Sequence, residues 1–101
     1  MQFNHVNLTV TEVAAAADFF TAHFDFAAVG QTRDNFIMLE GEGGFVLTLM
    51  TAGRAGPSPY PRNFHIGFFV ATVAAVNAKH EELVQAGRTP GDVQEFRRAA
   101  A

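Results

Sequence analysis

Two histidines, His5 and His65, stand sixty residues apart at the same point of a repeated pattern. Around the first the chain reads NHVNLTV before an alanine-rich run, and around the second FHIGFFV before another. In that register Val6 meets Ile66, Leu8 meets Phe68 and Val10 meets Val70, and Val13-Ala14-Ala15 meets Val73-Ala74-Ala75 without a gap. A single histidine on a strand is most simply a satisfied polar residue, because a metal site needs several donors. Two at equivalent points of a repeat are different: if the leading strands pair, both imidazoles project from one concave face. Neutral imidazoles suit zinc, iron, nickel or manganese when at least one oxygen donor completes the set.

The elements that must position His5 are legible. Phe3 to Val10 alternates with a period of two, so Val6, Leu8 and Val10 point one way and His5, Asn7 and Thr9 the other. Thr11 is the expected N-cap of a helix from Glu12 to His23, whose Val13, Ala17, Phe20 and Phe24 follow helical spacing and should cover the apolar side of a sheet. Strands are expected at Phe26–Thr32, Asn35–Glu40 and Phe45–Met50, the last two joined by a glycine turn over Gly41-Glu42-Gly43-Gly44. Phe45, Leu47 and Leu49 then share the core side, and Val46, Thr48 and Met50 the other. The predicted cup is lined by Asn7, Thr9, Thr48, Met50 and Phe69, a mixture of hydrogen-bonding and apolar groups that suits a small ligand.

Residues 53–62 form the predicted linker, rich in proline and glycine. A second leading strand is expected over Asn63–Val70, then a helix capped by Thr72, running to about Gln85 and stopped by Gly87, then a short strand over Asp92–Arg98. The first unit (1–52) reads βαβββ, whereas the second (63–101) is shorter by two strands. The expectation is a single domain of α+β class, two βαβββ-type repeats forming a curved mixed sheet.

Other titratable residues carry less. His23 and His80 fall on helices away from the cup. Glu40 and Glu42 flank the glycine turn in solvent, with Glu40 within reach of a site edge. Arg54, Arg62, Arg97 and Arg98 read as surface charges. The glycine turn is no phosphate loop, since neither Gly-Lys-Ser/Thr nor a helix follows it.

Composition excludes several classes. Only 17% of residues are charged and 49% are hydrophobic, which is a folding rather than a disordered composition. A net charge of −3 argues against a nucleic-acid partner. The absence of cysteine removes thiolate ligands, thiol nucleophiles and disulfides. No signal-peptide pattern and no long apolar run are visible, so a soluble, cytoplasmic protein without a membrane partner is expected.

The NHVNLTV segment with its following helix, the GFVLTL strand and the FHIGF segment resemble the vicinal oxygen chelate superfamily, which includes glyoxalases, extradiol dioxygenases and bleomycin-resistance proteins. The resemblance implies a cup in which His5 and His65 match metal-ligating histidines. It also implies a glutamate at the position of Thr48 in the glyoxalases and another on the closing strand of the second unit. This chain has neither, and a threonine brings no charge to replace a carboxylate. The resemblance implies a small-molecule-binding, glyoxalase-like protein, a divalent-metal-dependent lyase or dioxygenase acting on adjacent oxygens. The alternative it implies is metal-free sequestration of a ligand or antibiotic. Exposed sheet edges in a shortened unit further point to a homodimer.

Overall fold

The computed structural model of the protein describes residues 1–53 and 59–94. It divides into two compact units, Met1–Phe64 and His65–Ala101.

The first unit is a four-stranded mixed sheet with one helix on it. Strand β1 (His5–Thr9) leads into helix α1 (Val13–His23), followed by β2 (Ala27–Arg33), β3 (Phe36–Glu40) and β4 (Val46–Met50). The strand order is β1-β4-β3-β2, so the first and last strands of the unit are neighbours. They run parallel, as the helical crossover between sheet edges requires, while β4-β3 and β3-β2 are antiparallel. These boundaries agree with the sequence-based expectation to within two residues.

Alternation in each strand sends Leu8, Ile37, Leu39, Leu47 and Leu49 to the side covered by α1, where they meet Val13, Ala17 and Phe26. Phe20, Phe24 and Phe45 pack around that cluster. Leu39, Leu47 and Leu49 are the largest fully buried side chains, each contributing roughly 1.5–3 kcal/mol by leaving water. His23 is buried too, in the last turn of α1 beside Phe19 at 5.6 Å between ring centroids. The β3–β4 connection is a 3-10 turn, Glu42–Gly44, in which Gly43 and Gly44 adopt φ of 70° and 80°. Glycine supplies that conformation without steric cost. Gly41 matters for a different reason: a Cβ there would sit 2.6 Å from the ring of Phe26.

Helix α1 departs from the expected cap. Its N-cap is Glu12, not Thr11, and no side-chain bond closes it. The glutamate side chain lacks the short reach that lets serine, threonine or aspartate turn back onto the first-turn amides.

In the second unit, helix α2 (Val73–Gln85) forms as expected. Thr72 caps it, its hydroxyl accepting from the Ala75 N–H at 3.1 Å. Gly87, at φ 81°, lets Arg88 N–H donate to Leu83 O and Gly87 N–H to Val84 O, a Schellman ending. The second leading strand is a correction: residues 64–70, expected to form one, carry no strand ladder. In the first unit the leading strand is held by the closing strand β4. Among the described residues no strand takes the place of β4 beside residues 64–70. A strand without a neighbour leaves its peptide groups to water and gains nothing from alternation. Of the expected strand over Asp92–Arg98, Asp92–Gln94 are not in a strand and the remainder lies outside the described residues. The complete first unit and shortened second unit of the expectation therefore reduce, among the described residues, to one complete unit and one helix.

Candidate functional site

The face of the first sheet opposite α1 is built in lateral rows by the strand register. His5 pairs with Val46, and Val46 with Glu40, which pairs with Ala27. Asn7 pairs with Thr48, and Thr48 with Met38, which pairs with Val29. Thr9 pairs with Met50, and Met50 with Phe36. Partners in a row project to the same side. His5, Asn7, Thr9, Thr48 and Met50 are thus brought together on one open surface, as their alternation predicts.

The middle row is already bonded. The Thr48 hydroxyl donates to Asn7 Oδ1 at 2.7 Å, which ties the two adjacent strands together across the face. In the first row, His5 Nδ1 lies 2.7 Å from Asn4 Oδ1. With the proton on Nδ1, that nitrogen donates to the amide oxygen and Nε2 keeps its lone pair. Fixing one ring nitrogen with a carbonyl is how proteins orient a ligating histidine.

The outer edge of β1 has its own partner. Val46 N–H donates to Asn4 O and Val10 N–H to Met50 O, so the even-numbered residues of this strand serve β4. The peptide groups of His5, Asn7 and Thr9 therefore face outward. At Thr9 the Tyr60 hydroxyl accepts from the N–H at 2.6 Å and donates to the carbonyl at 3.0 Å. One phenol thus satisfies both peptide groups, as a neighbouring strand would. Phe64 stacks on the Tyr60 ring at 4.6 Å and 14°.

Reading the sequence missed Tyr60 altogether, because nothing local marks a tyrosine in a proline-rich stretch as a strand cap. It also missed Val29, Phe36 and Met38 on the open face, although the alternation of residues 36–40 would have placed the last two. The Arg33 guanidinium lies 5.6 Å from the centre of the Phe36 ring, within cation–π range.

His65 and Phe69 belong to the second unit, where both are exposed and Phe69 is 85% accessible. His80 lies on α2 as expected, its Nε2 shielded from solvent. Arg54, Arg97 and Arg98 lie outside the described residues. Among the described residues no three His, Asp or Glu side chains converge as a metal-binding group. His5, with a free Nε2, and Glu40 in the same row are a nitrogen and an oxygen donor of the kind divalent transition metals take, so the face fits part of such a site. Among the described residues, no helix is long and apolar enough to cross a membrane.

Residues 2–99 match the family described as the Glyoxalase/Bleomycin resistance protein/Dioxygenase superfamily. A solved structure titled "Structure of a possible Glyoxalase from Bacillus cereus" is 32% identical, with a TM-score of 0.77, over 86% of this chain and 75% of that one. No curated protein matches the chain significantly.

Proposed function

The chain belongs to the glyoxalase/bleomycin resistance protein/dioxygenase superfamily, and from that premise we propose that it binds a small molecule against the open face of its first sheet and acts on it with a divalent metal. The observation that carries this reading is the placement of His5, with Nε2 free, on the same face as Asn7, Thr9, Thr48 and Met50. His5 and His65 are the proposed metal ligands, with zinc, iron, nickel or manganese as the candidate ions. Such an ion supplies Lewis-acid polarisation of two adjacent substrate oxygens. Asn7, Thr9 and Thr48 offer hydrogen bonds to a bound ligand, and Met50 and Phe69 offer apolar contact. The reaction class would be that of a lyase or a dioxygenase.

The test is metal content by mass spectrometry on protein purified without a histidine tag. Stoichiometric metal in the wild type, lost in His65→Ala and in His5→Ala, is expected. Negligible metal in all three proteins overturns the reading.

One observation favours a second reading, metal-free sequestration of a ligand or antibiotic. Thr48 is uncharged and is engaged with Asn7, so the centre of the face offers no carboxylate. On that reading a ligand stabilises the protein equally with and without chelator; loss of stabilisation on adding chelator rejects it.

A homodimer is part of the proposal. Ile66, Phe68, Phe69, Val73, Val76 and Val84 are exposed apolar residues of the second unit, and such surface favours association. Sedimentation of a dimer at micromolar concentration is expected, and a monomer there contradicts it.

A further inference from the structure

We propose that the ligand held against the open face is a planar aromatic carboxylate. Its ring lies on Phe36, Met38 and Met50, and its carboxylate is bound by Arg33. This inference rests on the reading that a small molecule occupies that face, and it names the class of molecule without calling on a metal. The face is divided. Its β1 side carries His5, Asn7 and Thr9, whereas its β3 side carries Phe36 and Met38, flanked by Val29 on β2 and Met50 on β4. These four β2–β4 residues are each half-buried, so they form an apolar floor that stays open to a ligand. Phe36 and Met38 stand about 7 Å apart along their strand, comparable with the length of a fused two-ring system. Methionine sulfur gains from contact with an aromatic ring, and two flexible thioethers adapt to a flat guest.

An irregular strand brings Arg33 to this floor. Val29 pairs with Met38 and Arg33 with Phe36, so Gly30, Gln31 and Thr32 together oppose Ile37 alone. A regular antiparallel ladder would set Gln31 opposite Phe36 instead. Gly30, at φ 70°, allows the departure, and bulges of this kind re-aim a side chain. The row Thr9–Met50–Phe36 therefore ends in a guanidinium, held 5.6 Å from the centre of the Phe36 ring. Arg33 is exposed and forms no ion pair with a described residue, so its planar fork can take a bidentate carboxylate. Glu40 stands at the other end of β3, about 14 Å away along the strand, and would repel a carboxylate placed there. The charges thus fix the orientation, with the carboxylate toward Arg33 and the ring toward Met38. A chain of net charge −3 repels anions as a whole, so an anionic guest needs this local cation.

The test uses protein labelled with 13C at its methionine methyls, whose three methionines are Met1, Met38 and Met50, titrated in the presence of EDTA. The probes are 2-naphthoate and its neutral isostere 2-naphthamide. Naphthoate is expected to shift the Met38 and Met50 signals saturably and to leave that of the fully exposed Met1 in place. It should bind about tenfold more tightly than the amide, the worth of a charge-assisted bidentate contact. Arg33→Gln should lose that preference, and Arg33→Lys, which keeps the charge but not the fork, should fall between. Phe36→Leu should weaken both probes. Arg62→Gln, which removes an equal charge from the segment after Tyr60, should bind as wild type does. Far-UV circular dichroism confirms that each variant is folded. Equal affinity for the two probes, with both methyl signals shifting, overturns the role of Arg33 and leaves the small-molecule reading standing. Equal losses in Arg33→Gln and Arg62→Gln mean general charge attraction and likewise overturn it. No shift at Met38 or Met50 with either probe overturns the inference alone, because the reading beneath it stands or falls on metal content and on ligand stabilisation with chelator.

Discussion

The two copies of the repeat start from similar sequences and end in different states. Val13 is 2% exposed and its counterpart Val73 is 73% exposed; Leu8 is 8% exposed and its counterpart Phe68 is 46%. Each copy has an apolar leading segment and a helix after it, but among the described residues only the first has a sheet. The decisive strand is β4, which holds β1 on one side and β3 on the other. Among the described residues no strand pairs with residues 64–70, so their hydrophobic alternation has nothing there to pack in register against. The helix faces have diverged too: in the sixty-residue register, Ala17 and Phe20 of α1 correspond to Asn77 and His80 of α2. Helix α2 forms nonetheless, because its cap and its glycine ending are local. The contrast separates what makes a helix from what makes a core.

Substitutions can break or sharpen this contrast. The largest effect is expected in the first core: Leu49→Ala should cost about 2–5 kcal/mol in denaturant unfolding, because Leu49 is fully buried between two strands and α1. The matched test in the second unit is Val76→Ala, which should change the stability of the monomer, measured at concentrations below association, by less than about 0.5 kcal/mol. A cost for Val76 in the monomer comparable to that for Leu49 would mean that the surface of α2 is covered within the chain itself, and the contrast would fail.

Next in size is Gly41→Ala, which drives a methyl group into the Phe26 ring and should cost roughly 1–3 kcal/mol. Tyr60→Phe removes the hydroxyl that serves both peptide groups of Thr9, and a loss of about 1 kcal/mol is expected. Faster hydrogen exchange at the Thr9 amide would tie that loss to the strand edge; unchanged exchange would not. The smallest global effect should come from Thr72→Ala. It weakens the α2 cap by about 1 kcal/mol, lowering helicity by circular dichroism while the unfolding midpoint of the first unit stays put. A shift of that midpoint would show that the two units are energetically coupled.

Much of the first unit was legible because its signals are local. Val6 and Leu8 alternate with His5 and Asn7, and that alone places the histidine opposite the core. Val13, Ala17, Phe20 and Phe24 mark the covering face of α1, and the glycines between β3 and β4 mark their turn. The cap at Thr11 was misread because serine-like residues are strong caps in general, whereas the chain here enters the helix one residue later. The second leading strand was misread for a deeper reason. A segment can have the right period and composition for a strand, but a strand exists only when another lies beside it.

The candidate site divides in the same way. The amino-acid sequence by itself determined the repeat, the α+β class, the side of each strand that faces solvent, and the identity of His5 and Thr48 as face residues. Side-chain direction follows from backbone period, which is a property of neighbours in the chain. The tertiary structure alone decided that β1 pairs with β4, that Val46 stands between His5 and Glu40, and that Tyr60 closes the edge at Thr9. The β1–β4 register and the Tyr60 contact join residues 41 and 51 positions apart. Their free energy depends on strands arriving side by side, and that is written in no single segment.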